Sequence, residues 1–494
     1  MTGGPRWLMS RKTLAHTILV VAASLAAASC GAHSQRTAAP LLPAQHFVSR
    51  PDLRPPIVRI ETAARDTAPG LIFLAPKMAV AQAGPMIVDD QGHVVWFKPL
   101  DTKGVTDFRV QRYRGKPVLT WWRGRAPMGV GSGYYVIADS SYRTVATVHA
   151  GHGLSGDVHE FLITPRDTAL FTVYRQVHVD LSPYGGPKRG RIFEGIIQEV
   201  AIPSRRVLFE WHSYPRIALR ESYVHAPSAA KGAKTPPWDY FHVNSIDVEP
   251  NGNLLVSARN THTLYEIDRR SGRILWRLGG KRSDFSLGKG VRFAWQHDAR
   301  RRPDGTISLF DNGAAPPVEK FSRVLVLRVD AGRKRVTLVR SLAHPKHLLT
   351  PFEGNAQFLP DGHIVVGWGA NPYFTEFDPR GRVVLDAYFG HGKPPGKDAD
   401  SYRVYRFAWR GHPPGPPALV IRKGVAYVSW NGATDVTRWR LLVGEANDDL
   451  MAIRTVPKTG FEANIPINAK GAYVAVQALD RHGAIVGTST TVRR

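Results

Sequence analysis

The sequence predicts an all-β chain, a six-bladed β-propeller followed by a small β-sandwich, and three observations lead there. With 494 residues the chain is too long for one ordinary domain, and its 43% hydrophobic and 21% charged residues give it ample core material. Its 46 glycines, 37 prolines and 10% aromatic residues suit short strands and tight turns better than long helices. Most telling is a repeat. Ser245-Ile-Asp-Val-Glu-Pro-Asn-Gly-Asn-Leu-Leu-Val-Ser257 precedes Leu264-Tyr-Glu-Ile-Asp-Arg-Arg-Ser-Gly-Arg-Ile-Leu-Trp276, and Pro303-Asp-Gly and Pro360-Asp-Gly open related copies. Pro250, Pro303 and Pro360 stand 53 and 57 residues apart, a period that carries about four strands and marks a propeller blade.

The elements follow in order. Arg6, Arg11 and Lys12 form a cationic start, Leu14 to Leu25 is mostly apolar, and small residues lead into Cys30, so residues 1–29 read as an export signal. Cys30, the single cysteine, stands where a lipoprotein-type signal places its lipidated residue, with Ala27 where Leu is usual. The expectation is an exported protein held to the cell membrane by an N-terminal lipid; an ordinary secretory signal, giving a secreted or periplasmic protein, is the plainer alternative. Residues 30–66, rich in Ala, Pro, Thr and Arg, look like a tether.

Six blades fit between residues 67 and 412, with inner strands starting near Asp107, His159, His242, His297, Asn355 and Tyr402. The last lacks strands after it, so strands from Leu71 to Leu100 are expected to complete that blade and close the ring. Pro413-Pro-Gly-Pro-Pro417 breaks the pattern. Beyond it, Val425–Trp430, Thr437–Val443 and Tyr473–Leu479 alternate like strands of a small sandwich over 413–494, which resembles a fibronectin type III module with Trp430 as its core tryptophan.

The formal charge of +26 would suggest nucleic acid in an intracellular protein. In an exported one it is better read as attraction to anionic lipid or wall polymer, as steering of small anions, or as a solvated basic surface.

A propeller gathers the starts of its inner strands around one mouth of its channel. His159, His242 and His297 open three successive blades, with Asn244 on the same face as His242. Taking Asn251-Gly252, Asp304-Gly305 and Arg166-Asp167 as two-residue turns pairs Asn244 with Arg259, His297 with Asn312 and His159 with Tyr174. An imidazole nucleophile with Arg and Asn donors suits sulfuryl or phosphoryl transfer, and a singly charged sulfate ester makes a metal dispensable. Tyr174 and Tyr402 are candidates to stack on an aromatic substrate. Three imidazoles could instead bind Zn or Cu for a hydrolase or lyase, although Arg259 would repel the ion. A non-catalytic adhesion propeller is the third class. No cofactor is expected: the repeats are shared with quinone-cofactor propellers, but the usual cysteine pair is missing.

Asp239-Tyr-Phe-His242-Val-Asn244, Trp295-Gln-His297-Asp and Glu353-Gly-Asn-Ala-Gln357 resemble the bacterial arylsulfate sulfotransferase family over roughly residues 70–412. The resemblance implies a PAPS-independent arylsulfotransferase that moves a sulfuryl group from a small aryl sulfate to a phenol. By motif His297 is the histidine transiently sulfurylated, and His159, His242, Asn244 and Arg259 assist; Asn312 and the two tyrosines are added here as substrate contacts. The family's characterised periplasmic members carry their small β-domain before the propeller, whereas here it follows.

Overall fold

The computed structural model of the protein describes residue 1, residues 42–228 and residues 235–494. The expected export signal and Cys30 lie outside them. The fold is all-β, and residues 71–407 form six four-stranded antiparallel groups. Val404–Phe407, Leu71–Leu74, Met86–Val88 and Val94–Phe97 make the first blade, so the chain's late strand pairs with its early one and closes the ring. The other inner strands are Val105–Tyr113, Gly156–Ile163, Val243–Val248, His297–Arg301 and Asn355–Phe358. Together with Val404–Phe407 they adjoin one another in a closed cycle, the arrangement of a propeller.

The hairpins differ from expectation by one residue. Glu249 N–H bonds Asn253 O, and Gly252, at φ +86°, donates to Glu249 O, so Pro250-Asn251-Gly252 is a three-residue loop. Pro303 to Gly305, Pro360 to Gly362 and Pro165 to Asp167 are built likewise. Proline sets the first turn position and the left-handed third residue makes the bulge, which is why Gly or Asp stands there. A second irregularity follows the start of several inner strands, between Val243 and Ser245 and between His297 and Arg300 among them. Arg259 N–H therefore bonds His242 O, and Asn244 is not its partner.

The tether expected up to residue 66 is corrected. From residue 42 onward the chain packs: Leu53 and Val58 are buried, and Arg59–Thr62 adds a fifth strand beside Val383–Tyr388. Scattered apolar residues among the prolines supply the anchor that composition concealed.

The C-terminal strands form a sandwich. Ala418–Arg422, Val425–Ser429 and Glu462–Pro466 face a sheet ordered Asp449–Pro457, Arg438–Ala446, Tyr473–Leu479, Ile485–Thr488. The core tryptophan is Trp439, fully buried among Val428, Leu441 and Val476; Trp430, expected in that place, is only partly buried at the core's margin. The sandwich is joined to the segment before the propeller and to the first two blades. Phe461 packs on Phe47 at 4.2 Å, Asn431 exchanges two 2.9 Å bonds with the backbone of Phe97, and Tyr142 Oη donates to Gly432 O at 2.7 Å.

Midway down the channel the inner strands meet in a buried ion network. Glu160, wholly buried, binds Arg109 at 2.7 Å, Arg300 at 2.6 Å and Arg403 at 3.1 Å, and Arg403 also binds Asp107 at 2.9 Å. Burial would raise the Glu160 carboxyl, but the three guanidinium groups hold it far below the usual range. This network floors the site above it.

Candidate active site

Above the network lies a cavity of about 920 Å³, toward the upper end of the range for small-molecule sites. His159, His242, His297, Arg259 and Tyr402 all line it. The rings of His159 and His242 stand edge-to-face with centroids 4.7 Å apart, and Tyr402 lies 5.6 Å from His159 and 6.3 Å from His297. Trp122, Met128 and Phe352 supply apolar wall. The repeat has brought together three histidines more than fifty residues apart in sequence.

Each imidazole is held through Nδ1, but by different partners. His159 Nδ1 lies 2.5 Å from Asp157 Oδ2, and His242 Nδ1 is bonded to Asp239 Oδ2. Burial alone would raise Asp157, yet His159, the Gly131 N–H and Thr172 hold its carboxyl below the usual range. His297 Nδ1 instead meets Asn312 Oδ1 at 2.7 Å. The Asn312 amide is oriented by its Nδ2, which donates to Glu353 O at 2.9 Å and Thr350 O at 3.1 Å, so its oxygen must face the ring. That places the proton on Nδ1 of His297 and the lone pair on Nε2. Burial, then the charge of Arg259, hold His297 well below the ordinary imidazole value, against the pull of the Asn312 bond. Burial lowers His242 too, opposed by Asp239. His297 and His242 are thus both held toward the neutral form, and what sets His297 apart is an amide behind Nδ1 where the other two have a carboxylate.

Arg259 has no carboxylate within salt-bridge distance among the described residues. Its guanidinium lies over the Trp295 ring at 4.7 Å and donates to Asn260 Oδ1 at 2.8 Å and Pro351 O at 3.1 Å. Behind Trp295, His262 packs edge-on at 4.2 Å and itself stacks on Tyr223 at 4.0 Å. Burial pushes Arg259 down to about 10, resisted by Asp239 and Tyr174. A rigid cation without its own counterion is suited to receive an anion.

Three expected site residues are supports and not cavity residues. Asn244 Nδ2 donates to Gln296 O of the next blade at 2.7 Å, as Asn355 Nδ2 donates to Val404 O at 2.9 Å, so this repeated asparagine clasps neighbouring inner strands. Tyr174 packs 6.0 Å from His159 and 6.2 Å from His242 and donates to Val243 O at 2.8 Å, which leaves no face for a substrate ring. Asn312 is fully buried behind His297. Tyr402 does line the cavity, with a buried hydroxyl that has no partner.

The structure adds Lys77, Glu353 and Asp400 to the wall, Lys77 Nζ lying 2.8 Å from Glu353 and 2.5 Å from Asp400. Burial, with Asp400 adding to it, pushes Glu353 up to about 7 against Lys77. Glu353-Gly-Asn355 repeats His242-Val-Asn244, with both first residues at positive φ, so the repeat itself was the signal for this rim carboxyl. Among the described residues no group of three or more His, Cys, Asp or Glu is arranged to hold a metal ion.

One mouth of a propeller thus gathers three buried imidazoles and an arginine with no carboxylate within salt-bridge distance among the described residues. The chain belongs to the arylsulfotransferase (ASST) family, whose model matches residues 109–390. A comparison with curated proteins found no match. Among solved structures, a protein of unknown function from Bacteroides caccae is 12% identical, with 68% of this chain and 98% of that one covered and a TM-score of 0.39. A catalytically inactive virginiamycin B lyase from Staphylococcus aureus, solved with quinupristin, is 9% identical over 77% and 94% of the two chains, with a TM-score of 0.32.

Proposed function

We propose that the protein is a PAPS-independent arylsulfotransferase working through a sulfohistidine at His297. The observation that carries this reading is the difference in backing: an amide behind His297, carboxylates behind His159 and His242. A neutral imidazole with its lone pair on Nε2 is a nucleophile, and a carboxylate-backed imidazole is a proton carrier. His297 Nε2 attacks sulfur, the N–S bond forms as the aryl O–S bond breaks, and the leaving phenolate takes a proton from His242 or His159. An acceptor phenol then returns a proton to that imidazole, its oxygen attacks sulfur, and the N–S electron pair goes back to His297. Arg259 balances the charge on the sulfuryl oxygens throughout. The aryl group lies against Trp122, Met128 and Phe352.

Intact-protein mass spectrometry after mixing with an aryl sulfate of good leaving group tests this. A burst of phenol with a gain of about 80 Da on His297, discharged by added phenol, is expected. Turnover by His297→Ala near the wild-type rate, or activity lost to a chelator and restored by Zn, would overturn it in favour of metal chemistry. We also propose that Cys30 is lipidated and holds the protein on the outer side of the cell membrane; Cys30→Ala should move it out of the membrane fraction, and unchanged fractionation would refute the anchor.

A further inference from the structure

The inner strands run in one direction, so their starts form the histidine mouth and their ends form another mouth beyond the ion network. At that far mouth four adjacent strand ends enclose a second cavity of about 370 Å³, lined by Arg109, Arg300, Arg301, Arg302, Phe358 and Tyr405 among others. Its charges are matched except one. Arg109 and Arg300 are taken by Glu160, Asp107 and Asp298, and Arg301 is bound by both oxygens of Glu249 at 2.8 and 3.1 Å. The Arg302 guanidinium has neither a carboxylate within salt-bridge distance nor a hydrogen-bond acceptor among the described residues; it lies on the Phe358 ring, 3.5 Å from the centroid. Stacking fixes the plane of the guanidinium and leaves its N–H edge free, the geometry that grips a planar or tetrahedral oxyanion.

A second observation points to a ligand. Ser308, 1% exposed, also lines this cavity, and its hydroxyl has no hydrogen-bond partner. A buried hydroxyl without a partner costs free energy that a bound acceptor returns. Burial lowers Arg302, opposed by the charge of Asp304 and reinforced by that of Arg340, and a bound anion would offset the burial. The walls are aromatic and aliphatic: Phe358, Tyr405, Phe407, Val110 and Pro303.

We infer that the far mouth of the channel is a second binding site, for an aromatic oxyanion whose charged group meets Arg302 and Ser308 and whose ring lies among Phe358, Phe407 and Tyr405. An aryl carboxylate and an aryl sulfate share this chemistry. The inference does not depend on the reaction assigned to the histidine mouth.

Isothermal titration of the full chain with benzenesulfonate, which cannot donate its sulfuryl group, and separately with benzoate, tests it. Two sites are expected for at least one probe, and the stronger probe tells sulfate from carboxylate preference. Arg302→Gln should remove one site or weaken it at least tenfold while turnover of an aryl sulfate persists, with Arg302→Lys intermediate. Arg259→Gln should remove the other. A single site that survives Arg302→Gln, or no site remaining in Arg259→Gln, overturns the inference. A single site lost in Arg302→Gln and indifferent to Arg259→Gln would uphold it while speaking against anion binding at the histidine mouth. Circular dichroism and thermal melting confirm that each variant is folded.

Discussion

The histidine mouth and the ion network lie on the same inner strands, a few residues apart, and solve burial in opposite ways. In the network nearly every charge is met: Glu160 receives three arginines, and Arg403 binds Asp107, Glu160 and the carbonyl of Asn244. Both regions leave single buried polar atoms without partners, Asp107 Oδ2, Arg109 Nε and Arg403 Nε in the network and Asp239 Oδ1, Arg259 Nε, Glu353 Oε2 and the Tyr402 hydroxyl at the mouth. At the mouth, however, the Arg259 charge itself has no carboxylate within salt-bridge distance among the described residues. A satisfied network holds blades together, and a broken buried pair costs about 3–5 kcal/mol. Unsatisfied groups do the reverse, storing cost that a bound substrate can relieve. The difference separates what holds the ring from what acts on a ligand.

Mutation should divide the two regions cleanly. The largest effect is expected from His297→Ala, which should abolish burst and turnover while unfolding within about 1–3 kcal/mol of wild type, the cost of stranding the Asn312 oxygen; denaturant unfolding beside a phenol-release assay checks both. His159→Ala or His242→Ala should slow turnover by ~10²–10⁴ through lost proton transfer. Arg403→Met should do the opposite, losing about 3–5 kcal/mol in urea unfolding through the stranded Glu160, with the sulfohistidine still formed by whatever remains folded. If Arg403→Met proves as stable as wild type, the network is not the clamp described here.

Two smaller effects sharpen the contrast. His297 must be neutral to attack, and its folded value lies below the ordinary 6.5, so the acid limb of kcat/KM, where His297 takes a proton, should lie below 6.5. On the alkaline side KM for the sulfate donor should rise as pH passes about 10, where Arg259 loses its charge. A pH–rate profile whose acid limb lies above 6.5 would contradict the neutral-imidazole assignment. Trp295→Leu removes the ring under Arg259, worth ~0.5–2 kcal/mol, and should raise KM about 2–30-fold with kcat less affected; Trp295→Phe should recover most of it.

Much of this was legible before the fold was seen. The proline-turn period located the blades, and the strand that lacked successors, Tyr402 to Trp409, identified the closing pair Val404–Phe407 with Leu71–Leu74. His159, His242 and His297 were expected at one mouth because a repeat makes distant residues equivalent, and they do line one cavity; Arg259 lines it too, although the hairpin count that led to it named the wrong partner. Asn244 was misplaced for the same reason: equivalence says that a side chain recurs, not whether it faces the cavity or clasps the next strand. The hairpin count slipped by one because a Pro-x-Gly loop closes with a left-handed third residue, which a symmetric two-residue turn omits. Trp439 displaced Trp430 because strand alternation fixes only which residues share a face, and the partner sheet chooses which face is covered.

The sequence by itself determined the all-β architecture, the period, and the residue types available at the rim, because these are local properties: alternation, turn chemistry and recurrence need no distant partner. Only the tertiary structure decided which histidine is backed by an amide and which by a carboxylate. That pattern rests on contacts that distant or neighbouring strands supply, Asn312 behind His297, Asp157 behind His159 and Asp239 behind His242, and on the burial that lowers His297 and His242. It likewise decided that residues 42–66 pack, that Arg259 rests on Trp295, and that Arg302 at the far mouth lies on Phe358 without a salt bridge among the described residues, since each depends on what other segments bring to the same place.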